Sequence, residues 1–205
     1  WTRCFPAVRQ ARQWIREGKI GQALTVHSFH SFLADPDDWQ LWKASLAHTG
    51  GAVRDVGVYA LGMAFLAFPQ GPEKIMSCCR TNGEVDVHAD MLLQYENGKA
   101  AFLTAGFDME GNATTTIFGE KGRITLGPNL CCPSQLQFIP NQGEPEVLDF
   151  PYPATGMQFE VLRVQECLAQ GLLECPDFTW EESLKICGVI DRLRKDWGIR
   201  YASDC

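Results

Sequence analysis

The sequence predicts an α+β domain: a mainly antiparallel, open-faced sheet with helices on one face. Three observations carry this. Helical periodicity occurs early and late in the chain. Between the two lie several short runs of strand-like alternation. Tight turn signals separate those runs, with no helical crossover long enough for a parallel sheet. Covering one sheet face with the helices is the economical packing. The chain has 205 residues. That is enough for a sizeable core, and 1–205 reads as one domain.

The elements follow in order. Phe5-Pro6 opens a helix, with proline where its missing N–H costs nothing. Val8, Ala11, Trp14 and Ile15 recur at helical spacing, and Gly18 stops the run. Gln22 to Phe32 reads as a strand, with Leu24, Val26, Ser28, His30 and Phe32 on one side. A turn-rich loop at Ala34 to Asp38 leads to Trp39 and Trp42, a pair suited to packing or to sugar stacking. An apolar helix is expected from about Gly50 to Phe68.

Strands are expected at Lys74–Arg80, Val85–Tyr95, Ala100–Phe107, Thr114–Phe118 and Arg123–Leu126. Shorter ones are expected at Leu136–Ile139 and Val147–Phe150. Glu96-Asn97-Gly98 is a strong hairpin signal, and Glu120-Lys121-Gly122 is a second. Two helices close the chain, at about Gly156–Gln170 and Thr179–Trp197, and Gly198 marks the last stop.

Composition narrows the function. The net charge is −7 and the pI about 5.1, which argues against nucleic acid and against an anionic membrane surface. No uninterrupted apolar run reaches membrane-spanning length. The nine cysteines are odd in number and include two adjacent pairs. Free thiols in a reducing cytoplasm are the simplest account. His and Cys do not cluster at metal-ligand spacing, so no metal is expected.

The most informative stretch is Gly50-Gly51-Ala52-Val53-Arg54-Asp55-Val56-Gly57-Val58-Tyr59. On a helix, Asp55 and Tyr59 are i and i+4 and share a face, as a proton-transfer pair requires. A first-turn carboxylate and a core tyrosine would show the same spacing.

This G-G-x-x-x-D-x-G-x-Y pattern resembles the helix signature of the Gfo/Idh/MocA oxidoreductases. Tyrosine at its last position points to the dimeric dihydrodiol dehydrogenase branch, also described as D-xylose:NADP dehydrogenase. The similarity runs nearly end to end: Trp1-Thr2-Arg3-Cys4-Phe5-Pro6, Lys19-Ile20-Gly21, Phe118-Gly119-Glu120-Lys121-Gly122 and Trp197-Gly198-Ile199 follow in the family's order. It covers only the family's second domain. The G-x-G-x-x-G fingerprint of a dinucleotide fold is missing. A Rossmann domain of about 100–150 residues is expected upstream.

The resemblance implies hydride transfer between NADP, or NAD, and a trans-dihydrodiol or D-xylose-like sugar. This chain would supply the substrate half and be inactive alone. Tyr59 and Asp55 would be catalytic. Arg80, Trp1 and His30 would contact substrate, and Arg80 is the candidate within this chain for a cation favouring the phenolate. The open sheet face would pair with a second subunit. Leu24 and Cys131 stand where the branch carries arginine and tryptophan, which implies a remodelled pocket. The alternative is a non-catalytic oligomerisation or binding module that keeps the fold without a cofactor domain.

Overall fold

The computed structural model describes residues 1–35 and 43–204. Helix α1 (Pro6–Arg16) has proline at its first position. It ends where Gly18 takes φ 71°, which returns the Gly18 and Lys19 amides to the carbonyls of Ile15 and Trp14. Its inner face is Val8, Ala11 and Trp14.

Eight strands form one sheet: β1 (Ala23–Ser31), β2 (Lys74–Thr81), β3 (Asp86–Gln94), β4 (Ala100–Gly106), β5 (Thr114–Gly119), β6 (Gly122–Gly127), β7 (Gln135–Pro140) and β8 (Glu146–Asp149). Their spatial order is β2-β3-β4-β1-β5-β6-β7-β8. Strand β1 lies parallel to β4; every other pairing is antiparallel. The β3–β4 turn has Asn97 and Gly98 at φ 60° and 73°, the left-handed pair that a tight hairpin needs. On β1 the alternation holds for Val26, Ser28 and His30, which are buried. A register shift between Ala23 and Thr25 takes Leu24 out of step and leaves it exposed.

Helices cover one face. Helix α2 (Val58–Ala67) lies over β1, β4 and β5, and α1 lies over β6 and β7. Helix α4 (Trp180–Asp196) packs on α2 through Ile186, Val189, Ile190 and Leu193. Helix α2 is apolar all round, with Ala60, Leu61, Met63, Ala64, Phe65 and Leu66 buried, as suits a helix enclosed between layers. Helix α3 (Gln158–Ala169) lies outside this layer and buries only Cys167.

Among the described residues, no helix covers the opposite sheet face, the bare face hereafter. His27 stacks edge-on between Phe102 and Phe118 there, with ring centroids 5.1 and 5.2 Å away. Met76, Cys78, Asp90 and Thr104 help line a hollow of about 620 Å³ on this face.

Candidate functional site

The entry to α2 is not regular. Val53–Gly57 makes one turn of π-helix before the α-helix begins at Val58. Asp55 and Tyr59 are therefore not i and i+4 of one uniform α-helix, because the wider turn rotates one against the other. The turn is capped from a distance. Asp86, at the start of β3, accepts from the Val53 amide at 2.7 Å through Oδ2. Gly51 makes room for it: at φ 131°, a Cβ there would lie 2.4 Å from Asp86 Oδ1. Burial pushes the Asp86 carboxyl above its ordinary range, against the pull of the Val53 and Ala52 amides. The Tyr201 hydroxyl donates to the Gly50 carbonyl beside it. Gly57 lets the same turn approach β4, since a Cβ would meet Ala105 at 3.3 Å.

Tyr59 then projects from the first turn of α2 into a meeting of four segments. The Trp1 indole N–H donates to its hydroxyl at 3.1 Å. The His30 ring lies 5.4 Å from its ring centroid. Cys131, in the β6–β7 turn, places Sγ 3.6 Å from His30 Nε2 and donates to Asn129 Oδ1 at 3.2 Å. Thr2 fastens Trp1's segment to that turn by donating to the Cys131 carbonyl at 2.7 Å. A pocket of about 240 Å³ opens beside Tyr59, lined by Trp1, Arg3, Met63, Phe178 and Ile186.

Burial neutralises this cluster. It raises the Tyr59 phenol, and the Trp1 hydrogen bond only partly offsets that. It raises the Cys131 thiol to about 11 and lowers the His30 imidazole to about 4. It raises Asp55, against the positive charge of Lys43. At neutral pH the phenol, thiol and imidazole are all uncharged. His30 Nδ1 is buried without a hydrogen-bond partner. With the thiol hydrogen bond directed to Asn129, the tautomer that suits the sulfur has its proton on Nε2 and leaves Nδ1 an acceptor.

Trp1, His30 and Tyr59 are thus brought together, Asp55 lies near enough for its charge to act on the phenol, and Arg80 is not there. Arg80 alternates with Met76 and Cys78 on the bare face, the far side of the sheet from α2. Its guanidinium binds Asp108 at 2.7 Å. His88 joins the group, with Nδ1 2.9 Å from Asp108 and Nε2 3.2 Å from Asp90. Burial pushes the Asp108 carboxyl up, but Arg80 and His88 outweigh it and hold it below its ordinary range. Arg80 cannot be the cation beside the phenol, because two residues of one parity on β2 share a face and Tyr59 lies behind the other. Trp39 and Trp42 lie outside the described residues.

Sequence reading missed Cys131 as a neighbour of His30 and Asp86 as the cap of the π-turn. The first had a signal, a cysteine where the related branch carries a pocket tryptophan. The second had half of one: Gly50-Gly51 announces a close approach without saying to what. Among the described residues, no group of three or more His, Cys, Asp or Glu is placed to hold a metal. No helix among them is long and apolar enough to cross a membrane.

The site thus sits where an open-faced sheet meets its one helical layer, at a half-buried tyrosine in the first turn of the central helix. The chain belongs to the GFO/IDH/MocA C-terminal domain family, whose sequence pattern matches residues 8–125. It is 29% identical to the trans-1,2-dihydrobenzene-1,2-diol dehydrogenase of Sus scrofa, over 100% of this chain and 62% of that protein. The aldose-aldose oxidoreductase of Caulobacter crescentus, solved with glycerol, superposes with a TM-score of 0.78 at 22% identity, over 95% of this chain and 59% of that one. The 3-ketoreductase of Actinomadura kijaniata, solved with NADP and TDP-benzene, gives 0.74 at 21% identity, over 95% and 60%. The chain thus spans less than two thirds of the length of each.

Proposed function

We propose that this chain is the substrate-binding half of a nicotinamide-dependent dehydrogenase. Its substrate is a small vicinal diol, either a trans-dihydrodiol or a D-xylose-like sugar. The observation that carries the reading is the Tyr59 phenol, held by Trp1 at the mouth of a pocket, with a neutral thiol and imidazole beside it. The dehydrogenase and reductase names of the proteins it resembles support it.

The residues of this chain fit the nicotinamide end of such a cofactor and no more. Trp1 and Tyr59 give a ring-walled pocket with a phenol at its mouth, and among the described residues no glycine-rich strand–turn–helix is present to take a diphosphate. NADP is the first choice and NAD the second, and a dinucleotide-binding domain supplies the rest. When bound, the nicotinamide exchanges a hydride with the substrate carbon.

The chain's own part is proton transfer and orientation. In carbonyl reduction the Tyr59 hydroxyl donates its proton to the substrate oxygen as that oxygen gains charge. In alcohol oxidation the same oxygen takes the proton back. The raised phenol keeps the proton in place at neutral pH but makes it harder to give up, so both directions need a cation brought in with the cofactor domain to favour the phenolate. Asp55 orients a substrate hydroxyl, and the His30 ring, packed against Tyr59, borders the substrate. The bare face forms the contact of a homodimer. Its exposed Phe102, Met76 and Leu24 also fit the second reading, a non-catalytic assembly module.

One experiment separates the two. In the protein completed with a dinucleotide-binding domain, Tyr59→Phe should lower turnover by about 10²–10⁴-fold with cofactor affinity unchanged. Wild-type turnover in that variant removes Tyr59 from the mechanism. Absence of turnover in the wild-type assembly leaves the assembly reading.

A further inference from the structure

The π-turn at Val53–Gly57 is held from two sides by residues that do not line the Tyr59 pocket. A turn of π-helix is rare, and it marks a place where the surroundings keep the chain from tightening into the α-helix that follows. Asp86 is one hold. It opens β3, is fully buried and takes the amides of Ala52 and Val53. A carboxylate is costly to bury, and what this one gains is two amides at the mouth of a helix.

Tyr201 is the other hold. Its hydroxyl donates to the Gly50 carbonyl, and its ring lies 5.4 Å from the Arg54 guanidinium of the turn itself. Tyr201 is in turn pinned to α4. The Arg194 guanidinium lies 4.2 Å from its ring, and Asp204 accepts from the Tyr201 amide at 2.8 Å and from Arg194 Nη1 at 2.9 Å. At the far end of the turn, Gly57 rests against Ala105 of β4. Both ends are therefore anchored to other elements, and the extra width of the turn has nowhere to relax.

We infer that Asp86 and Tyr201 are positioning residues for the proton transfer assigned to Tyr59: by holding the π-turn, they keep the Asp55 carboxylate rotated away from the phenol. The inference rests on the dehydrogenase reading for its effect on turnover, and on geometry alone for its effect on Tyr59.

The hydrogen bonds show what the rotation achieves. Trp1 donates to the Tyr59 oxygen, so the phenol's own proton is still to be placed. In a regular α-helix Asp55 and Tyr59 would lie one above the other, and the carboxylate would take that proton in competition with a substrate oxygen. The π-turn opens the pair. Asp55 stays near enough for its charge to be felt at the phenol, while its oxygens are left to a substrate hydroxyl.

The test is the Tyr59 titration in this chain alone, read by NMR of carbon-labelled tyrosine. Asp86→Ala removes the acceptor, and Asp86→Asn keeps an uncharged one of the same shape. Tyr201→Phe removes one hydroxyl, and it carries the test should Asp86→Ala fail to fold. Asp86→Ala and Tyr201→Phe should each raise the Tyr59 titration by about half a pH unit or more, as the carboxylate swings toward the phenol. Adding Asp55→Asn should abolish the rise. Asp86→Asn should leave the titration at its wild-type value. In the protein completed with a dinucleotide-binding domain, Asp86→Ala should lower kcat by at least about ten-fold with KM nearly unchanged, and Asp86→Asn should restore most of it.

An unmoved Tyr59 titration in every variant that folds overturns the inference. So does an equal rise in Asp86→Asn, which would trace the effect to lost charge and not to the cap, or a rise that survives Asp55→Asn. The two readings fail separately. Titration shifts as expected, without turnover of diol or sugar by the wild-type assembly, sink the catalytic reading alone. Turnover that needs Tyr59 but is insensitive to Asp86→Ala and Tyr201→Phe sinks the positioning role alone.

Discussion

Leu103 and Phe102 are neighbours on β4, yet one is 2% exposed and the other 47%. The difference divides the molecule into two chemistries on one sheet. Beneath the helices, burial pushes Tyr59, Cys131 and His30 toward their neutral forms. On the bare face Arg80 and Asp108 stay charged and pair with each other. A group that must hand over a proton needs a small energy gap between its two forms and a site free of competing charge. The covered face comes closest to that second condition, since the one charge lining the Tyr59 pocket, Arg3, is paired with Glu182. The bare face offers a fixed, paired network beside an aromatic hollow, which suits a contact surface.

Stability separates the faces most strongly. Leu103→Ala should cost about 2–5 kcal/mol, because it leaves a cavity between β4 and α2. Phe102→Ala should cost less than about 1 kcal/mol in the same chain, because half of that ring already meets water. Urea melts of the two variants measure this. Equal losses would show that the bare face is covered in solution, and the division would have to be redrawn around the assembly.

Acid should act mainly on the covered face. Unfolded, the His30 imidazole titrates near its ordinary 6.5; folded, near 4. Between those values the unfolded chain binds more protons. The stability that His30 contributes is therefore complete above pH 6.5 and drains away as pH falls toward 4, by on the order of 3 kcal/mol at most, while the raised carboxyls of Asp55 and Asp86 act in the opposite sense and cancel in the difference between the two proteins. His30→Gln should flatten the wild-type curve over that window. Parallel curves for the two proteins would mean that His30 is charged in the fold and that the covered face is not neutral. Asp108 is no confounder there. Its depressed carboxyl loses its contribution only as pH falls through values below its ordinary 3.8.

How much of this the sequence disclosed depends on range. Alternation of Val26, Ser28 and His30 places β1, and Asn97-Gly98 places the β3–β4 hairpin, because both are local properties of the backbone. The helices announce themselves by period and by the glycines that end them. The position of β1 between β4 and β5 is not local: it rests on a parallel pairing of Thr25 with Ala100. The π-turn at Val53 is equally hidden, since its cap is Asp86, 33 residues away. Resemblance supplied Tyr59, Trp1 and His30 as a set. It also supplied Arg80, and strand parity then set that residue on the other face. Cys131 meets His30 across 101 residues, a contact that only the assembled sheet creates.

The smallest effect is the sharpest test of the two-face picture, because it reads Tyr59 itself. The Trp1 N–H is what lowers the phenol against burial. Trp1→Phe removes that donor and keeps a ring in its place. The loss should cost only about 0.5–1.5 kcal/mol of stability, the ordinary worth of one hydrogen bond. The Tyr59 titration should move upward, since the charged form loses its one favourable contact. Arg80→Ala also removes a nearby group in sequence-based terms, but it lies across the sheet. It should leave the Tyr59 titration where it was and cost about 0–1 kcal/mol, as an exposed ion pair does. Carbon-labelled tyrosine followed by NMR, with Tyr59→Phe assigning the resonance, reads both variants. An upward shift in Trp1→Phe alone keeps proton chemistry on the covered face. A shift in Arg80→Ala of equal size would mean that the guanidinium reaches the phenol through the sheet or from a second subunit, and the bare face would then belong to the site.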